Sequence, residues 1–503
     1  MIAPDVADFA RVYDTGTPQL VWLRIVADTE TPVGAMLKLA KPGAGAFLLE
    51  SVEGGAVRGR YSLLGLDPDL VWRATGDGSE INRRWQADPS AFEPCDGGTL
   101  SNLRALVAEA RMAMPSELPP ALSVFVGYMG YETACLTEPR VEAAAHDLLG
   151  LPDLLFVRPA LLLVFDRLKD ELFFVAPVFP DGSDATTAYA RAVERIETAA
   201  ARLTQPVPVP ARPPLDLPTG DPQAVLPPGH YAEMVAAAQA YIAAGDIFQV
   251  VLAQRFTVDF PLPPLDLYRA LRRINPSPFL YFLDLPGFAL IGSSPEILVR
   301  VRDGDVTIRP IAGTRRRGRD AVEDAALKAE LLADPKELAE HLMLLDLGRH
   351  DTGRVAAPGS VTVTDRFGVE FYSHVMHIVS NVRGRLKVGC DAVDALLSGF
   401  PAGSVSGAPK VRAMQIIREL EPEKRGAYAG GVGYFSPDGS MDSCIVLRTA
   451  VVKDGVMHVQ AGAGIVADSV AASEQAECEA KAGALIAAAR EAVARAALAG
   501  FGQ

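Results

Sequence analysis

The sequence has no apolar run approaching the ~20 residues that a membrane-spanning helix needs. Its 5 cysteines, Cys95, Cys135, Cys390, Cys444 and Cys478, include no CxxC pair. An odd count at irregular spacing excludes a disulfide framework or a zinc site as an organising feature, and a reduced compartment is expected. Basic charge is in deficit: Lys plus Arg total 48 against 62 for Asp plus Glu, a net charge of −14. Such a chain lacks the basic face that nucleic acid or an anionic membrane demands. Asp5 and Asp8 interrupt the N-terminus where a signal peptide would need unbroken apolar residues, so the cytoplasm is the expected location. GxxxxGK[ST] is absent, which excludes a P-loop, and no repeat of fixed period is visible.

What is there suits a large soluble protein. The 503 residues are 49% hydrophobic and 22% charged, enough for two or more domains. Residues 1–204 read as a mixed α/β portion, with buried strands over 161–165 and 172–175 and an alanine-rich helix over 186–203. Residues 205–229 hold prolines at 206, 208, 210, 213, 214, 218, 222, 227 and 228, a density that permits only an extended connector. Residues 230–503 resume with a helix over 230–244. Strands are expected over 248–256, 280–283, 297–301, 306–308, 361–364, 374–379, 431–435, 443–452 and 457–460, and a final helix from 474. The order is not a strict βαβα alternation, which predicts an α+β fold with largely antiparallel sheets.

Two acidic helices stand out. Residues 336–351, KELAEHLMLLDLGRHD, carry apolar residues at helical spacing in two adjoining stripes, which predicts a helix with little free surface. Glu337 and Glu340 share one of its faces. In SEQAECEAK, Glu474, Glu477 and Lys481 again share a face. Four carboxylates on facing helices would repel unless a cation lay between them, and Mg2+ is the natural choice. Two surface helices with solvated acids explain the residues equally well. Glycine-bearing loops, FPAGSVSGAPK and QAGAG, could let backbone approach a carboxylate, with Arg448 as a bidentate partner. Tight turns and a buried ion pair would account for the same residues. Glu296, beside Pro295, is placed to have a raised pKa and act as a general acid. His377 lies in an apolar strand, where a histidine is more often a core residue. The run Arg315–Arg316–Arg317 reads as a solvated loop or subunit contact, outside any site.

Together these stretches resemble the chorismate-utilising enzymes, most closely the large subunits of the anthranilate synthases within that family. The resemblance rests on LLES and GRYS in the first half. In the second it rests on IFQVVLAQRF, NPSPFLYF, GSSPEIL, RPIAGT, AEHLMLLDLGR, VMHIVS, FPAGSVSGAPK, GAYAGGVGYFS, SCIVLRT and QAGAGIVADS. It implies two interleaved portions built on large antiparallel sheets packed on one another, with outer helices and a C-terminal active site. By resemblance, Glu340 and Glu477 ligate Mg2+, with Glu337 and Glu474 in or near its surroundings. Gly403, Ser404 and Lys481 handle the ring carboxylate of chorismate. Tyr428, Arg448 and Gly462–Ala463–Gly464 grip the enolpyruvyl carboxylate. Glu296 protonates the departing C4 hydroxyl, His377 serves the later loss of pyruvate, and Thr314 joins them as a catalytic position beside Gly313.

Two positions discriminate among sister activities. Aminodeoxychorismate synthases commonly place a nucleophilic lysine where this chain has Ala312, and a methyl group cannot attack. Isochorismate and salicylate synthases carry a water-activating lysine where this chain has Gln249, and an amide is no general base. Amination by ammonia, giving anthranilate, is therefore the implied reaction. No glutaminase-type cysteine elbow is visible, so a separate glutamine amidotransferase subunit is implied, in a heterotetramer. LLES and NPSP imply a tryptophan effector site, with Glu50 and Ser51 holding the ammonium and Asn275, Pro276, Ser277 and Pro278 walling the indole; a strand end and a proline turn would explain the same residues. His350 stands where the family usually has asparagine, Ser404 where threonine is usual, and Leu280 where some members have methionine. The alternatives are an aminodeoxychorismate-forming enzyme and a tryptophan-sensing scaffold, the latter at odds with intact Glu296, Glu340 and Glu477.

Overall fold

Among the described residues every pairing between strands is antiparallel, and the pairings join the two halves of the chain. The computed structural model describes residues 1–53, 57–120, 122–144, 146–208, 220–372 and 375–496. The strand Phe47–Glu50 pairs with Phe279–Leu285, and Phe125–Met129 pairs with Gly431–Phe435. Among the described residues 23 strands are thereby linked in one hydrogen-bonded network, so the halves cannot separate without breaking ladders. Part of the proline connector, 209–219, lies outside the described residues. Within its described remainder, Gln223–Ala224 adds a short edge to the strand Gln249–Asp259.

Strand alternation sorts side chains into two environments. Phe47, Leu63, Val164, Val175, Tyr281, Leu283, Leu290 and Val451 belong to an interior built mainly of strand residues from both halves. Their neighbours Leu48, Leu64, Leu280 and Phe282 point the other way, onto helices Pro32–Leu39, Ala185–Leu203, Pro264–Ile274 and Ala471–Ala496. Helices Thr99–Glu109, His230–Ala243, Ala392–Ser398 and Lys410–Leu420 cover a second outer region. Sheet faces sheet inside, with helices outside. No helix among the described residues is long and apolar enough to cross a membrane.

Three local expectations are corrected. The acidic helix spans Pro335–Val355, started by Asp334, whose carboxylate accepts from Lys336 N at 3.0 Å, and by Pro335 in the first turn. It buries His341, Leu344 and Leu345 but leaves Leu342 42% exposed, so it has a free outer face. Residues 443–452 are not one strand. Met441–Ile445 and Thr449–Lys453 are separated by a break at Arg448, whose φ is +49°. Only side chains on the two flanking strands alternate, so pattern alone could not reveal the break. The third expectation placed the Arg315 run outside the site, and is taken up below.

Candidate active site

The floor of the site is a pair of strands. Gln249–Asp259 runs against Val456–Ile465, with Val251 opposite Gly464, Leu252 opposite Ala463 and Ala253 opposite Gly462. The missing side chains are used. A Cβ on Gly464 would stand 2.2 Å from Gln249 Nε2, and one on Gly462 would stand 2.9 Å from the Tyr428 hydroxyl. Tyr428 is buried, and burial raises its pKa. Lys481, from the helix Ala471–Ala496, donates to the Gly462 carbonyl at 2.7 Å and pairs with Glu477 at 2.7 Å. Arg448, at its strained backbone position, makes no side-chain hydrogen bond or ion pair among the described residues. Burial lowers its pKa, with Tyr428 and Glu477 acting the other way. An unpaired guanidinium in that setting has donors available to an anion.

One wall carries the acid. Glu296 lies in the two-residue gap between strands Phe288–Ser294 and Ile297–Arg302 and is 9% exposed. Ser404, in the short helix Gly403–Ser406, stands 3.0 Å from both of its carboxylate oxygens. Burial pushes the Glu296 carboxyl up to about 8, against the lowering effect of that hydroxyl. Gly403 lets the turn lie against the acidic helix, since a Cβ there would meet Leu347 at 2.6 Å.

Another wall carries a histidine. Strands Ile311–Arg316 and Val375–Arg385 place Thr314 directly opposite His377, and Thr314 Oγ1 is 2.9 Å from His377 Nδ1. The same nitrogen is 3.3 Å from the Gly313 carbonyl. A carbonyl only accepts, so Nδ1 carries the proton and Nε2 keeps its lone pair. Burial lowers the His377 pKa to about 4, which keeps the ring neutral. Ala312, 9% exposed, lies on this wall and presents only a methyl group.

A model of the chorismate binding enzymes matches residues 70–487. The chain belongs to the chorismate-binding enzyme family. Anthranilate synthase component 1 from Cereibacter sphaeroides is 52% identical over 96% of this chain and 97% of its own length. The protein of the same name from Thermus thermophilus is 47% identical over 92% of this chain and 96% of its own length. At such identities the chain falls with the component 1 proteins of anthranilate synthase. The crystal structure of anthranilate synthase component I from Streptococcus pneumoniae superposes with a TM-score of 0.75 at 35% identity, covering 92% of this chain and 98% of that one. The menaquinone-specific isochorismate synthase from Escherichia coli shares the fold, with a TM-score of 0.70 at 21% identity over 96% of this chain and all of its own.

Within this chorismate-binding enzyme the acids are arranged more openly than their spacing suggests. Burial raises the Glu340 carboxyl, and the charges of Glu337 and Glu477 raise it further. Those three acids therefore share one electrostatic neighbourhood. Gln249 Nε2 stands 3.5 Å from Glu340 Oε1. Glu337, however, is bound by Arg315 at 3.0 Å, and Arg315 also holds Glu330 and Asp334. This corrects the placing of the arginine run outside the site: Arg316 and Arg317 pair with Glu323 and Asp324, but Arg315 reaches the acidic helix. Strand alternation would separate Arg315 from Arg316, yet nothing in sequence says which acids a strand will face. Glu474 makes no side-chain pairing among the described residues, although its charge reaches Lys336. No three Asp, Glu, His or Cys side chains among the described residues lie close enough to hold a metal ion, so the four glutamates do not form a closed cage. Mg2+ keeps several waters and asks for only one or two carboxylates, so Glu340 and Glu477 alone fit it.

The residues of the expected effector site share no side-chain hydrogen bond with the cleft residues among the described residues, although Ser293 links the Asn275 and Arg448 carbonyls. Glu50 ends its strand opposite Leu280. Its carboxylate accepts from Tyr268 at 2.7 Å, from Arg167 at 2.6 Å, and from Arg272 at 2.8 and 2.9 Å. Asn275 follows the helix Pro264–Ile274, and its buried Nδ2 has no partner. Ser277 is buried, and Ser51, Pro276 and Pro278 are half-buried. His341 was missed by sequence reasoning. Fully buried beside Glu340, it bonds Ser380 on the His377 strand at 2.7 Å and ties the acidic helix to that strand.

Proposed function

We propose that this chain aminates chorismate and releases anthranilate, as the ammonia-using component of an anthranilate synthase and at the first step of tryptophan biosynthesis. The observation that carries the reading is the pairing of a buried acid, Glu296, with two positions that offer no competing nucleophile. Ala312 has only a methyl group, and the Gln249 amide is directed at Glu340 and cannot activate water. Ammonia is a competent neutral nucleophile and needs no base.

The two carboxylates of chorismate are bound by different groups. Arg448, Tyr428 and the Gly462–Gly464 backbone take the enolpyruvyl carboxylate. Gly403, Ser404 and Lys481 lie at the ring carboxylate. Glu340 and Glu477 would hold Mg2+, which supplies positive charge for that carboxylate. As ammonia bonds to C2, the Glu296 proton passes to the C4 oxygen and water departs. His377 Nε2 then takes the C2 proton as the C3–O bond breaks, the departing enolpyruvate receives that proton at its methylene carbon and leaves as pyruvate, and the ring becomes aromatic. A separate glutamine amidotransferase subunit delivers the ammonia. Tryptophan inhibits through the region of Glu50, Ser51 and Asn275–Pro278, where the unpartnered Asn275 amide supports a polar ligand.

The test is anthranilate fluorescence from the purified chain with chorismate, Mg2+ and an ammonium salt at mildly alkaline pH. Signal that needs Mg2+, vanishes in Glu340→Gln and falls with tryptophan is expected. Chorismate consumed without anthranilate would favour aminodeoxychorismate formation, and a well-folded chain with neither consumption nor product would end the catalytic reading.

A further inference from the structure

Arg425 and Glu421 form a buried ion pair that the chemistry above does not use. Arg425 is 2% exposed and Glu421 4%. Arg425 Nε lies 2.8 Å from one Glu421 oxygen, and Nη2 lies 2.5 Å from the other. The guanidinium has donors to spare, and they go to main chain. Nη1 donates to the Val405 carbonyl and Nη2 to the Val251 carbonyl, both at 2.7 Å. Glu421 in turn accepts from Ala253 N at 2.8 Å. The same guanidinium lies 5.6 Å from the ring centre of Tyr428.

The backbone groups it holds are telling. Val405 follows Ser404 in the turn that touches Glu296. Val251 and Ala253 are the residues opposite Gly464 and Gly462. One ion pair thus ties together the Gly403–Ser404 turn, the glycine strand and Tyr428. A fully buried pair is seldom more stabilising than apolar side chains of equal size, so general stability is a weak reason for it. Lysine could not replace the planar fork, because it is a point charge with no fixed arrangement of donors.

We propose that the Arg425–Glu421 pair is a spacer that fixes the separation of the two carboxylate grips. Specificity for a dicarboxylate then rests partly on two positioning residues that touch no substrate. The proposal rests on the chorismate reading above. Its signature is selectivity: a loosened spacer weakens a ligand held at both grips and spares one held at a single grip.

The experiment compares Arg425→Lys and Glu421→Gln with Arg158→Lys. Arg158 is also buried between two carboxylates, Asp69 and Glu109, but lies away from the site. Dissociation constants are measured with Mg2+ and no ammonia for chorismate, with two carboxylates, and for anthranilate, with one. Amide exchange is followed over residues 250–253 and 403–406. Expected in both spacer variants is at least a tenfold loss for chorismate, less than twofold for anthranilate, and faster exchange in both segments. Arg158→Lys is expected to lower the melting temperature without these changes. Equal losses for the two ligands, unchanged chorismate affinity, or the same pattern in Arg158→Lys would overturn the proposal. If Arg425→Lys does not fold, the isosteric Glu421→Gln carries the test. Because binding and exchange are read without turnover, a wild type that binds chorismate but makes no anthranilate would sink the proposed reaction and leave the spacer test unaffected.

Discussion

Ser404 Oγ is equidistant from the two carboxylate oxygens of Glu296, at 3.0 Å from each. A hydroxyl shared in this way stabilises the carboxylate, while the apolar surroundings stabilise the acid. Burial wins, and the group titrates near 8, where it can give up a proton at the pH of the reaction.

The pH dependence follows from that balance. Activity should fall as pH rises through about 8, because the proton donor is then lost. Ser404→Ala removes the lowering contact, so this limb should move to higher pH. Stability follows the same group. Its folded pKa lies above the unfolded one, so the neutral form's contribution is complete below about 4.5 and is lost as pH rises to about 8. Glu296→Gln should therefore be inactive by ~100-fold or more. It should melt higher than wild type at pH 9, by an amount on the order of a few kcal/mol. Rate profiles and melting curves across pH check both statements.

The two cradle glycines should behave differently. In Gly464→Ala the new Cβ meets only the end of the flexible Gln249 side chain. Folding should change by less than ~1 kcal/mol, while the displaced amide leaves Glu340 and kcat/KM drops. In Gly462→Ala the Cβ would lie 2.8 Å from the Leu252 carbonyl, which belongs to a paired strand. That variant should lose ~1–3 kcal/mol of stability as well as activity. Denaturant melts beside steady-state kinetics would separate the two.

Glu50 should couple stability to inhibition. Glu50→Gln leaves the largely buried Arg272 with half its partner, at a cost of roughly 3 kcal/mol if the charge is uncompensated. Ammonia-dependent turnover should survive where the protein stays folded, and tryptophan should no longer suppress it. A variant that keeps full tryptophan sensitivity would remove Glu50 from the effector site.

Magnesium affinity should weaken as pH falls. Glu340 is held above the usual carboxylate range by burial and by Glu337 and Glu477, and a ligand must be deprotonated. Calorimetry on the acid side of neutrality should register proton release on Mg2+ binding. Glu340→Gln should abolish both the release and the Mg2+-dependent rise in melting temperature.

Much of this protein is readable from its sequence because the informative features are local. Glycine at 462, 464 and 403, the acidic faces of two helices, and a carboxyl next to Pro295 are all matters of residue type and short spacing. Their resemblance to the chorismate-utilising enzymes names the chemistry, and matching relatives across nearly the whole chain agree with it. Periodicity also located most strands after residue 229, since a buried strand and its alternation involve few neighbours, but it missed Gln19–Val26, Tyr61–Thr75 and Phe125–Met129 in the first half and Phe288–Ser294 and Ile311–Arg316 in the second.

What the sequence could not determine depends on contacts between distant residues. That Arg315 binds Glu337, that Thr314 fixes the His377 ring, and that Glu50 meets Arg167 and Arg272 are outcomes of strand register and helix packing. So is the openness of the acidic cluster, for which equal spacing on two helices suited a shared cation and solvated surfaces alike. Residue types and their order settled the fold class and the chemical inventory. Only the tertiary structure decided which charges are neutralised and which, like Arg448, remain free, because pairing energies depend on distance and burial across hundreds of residues.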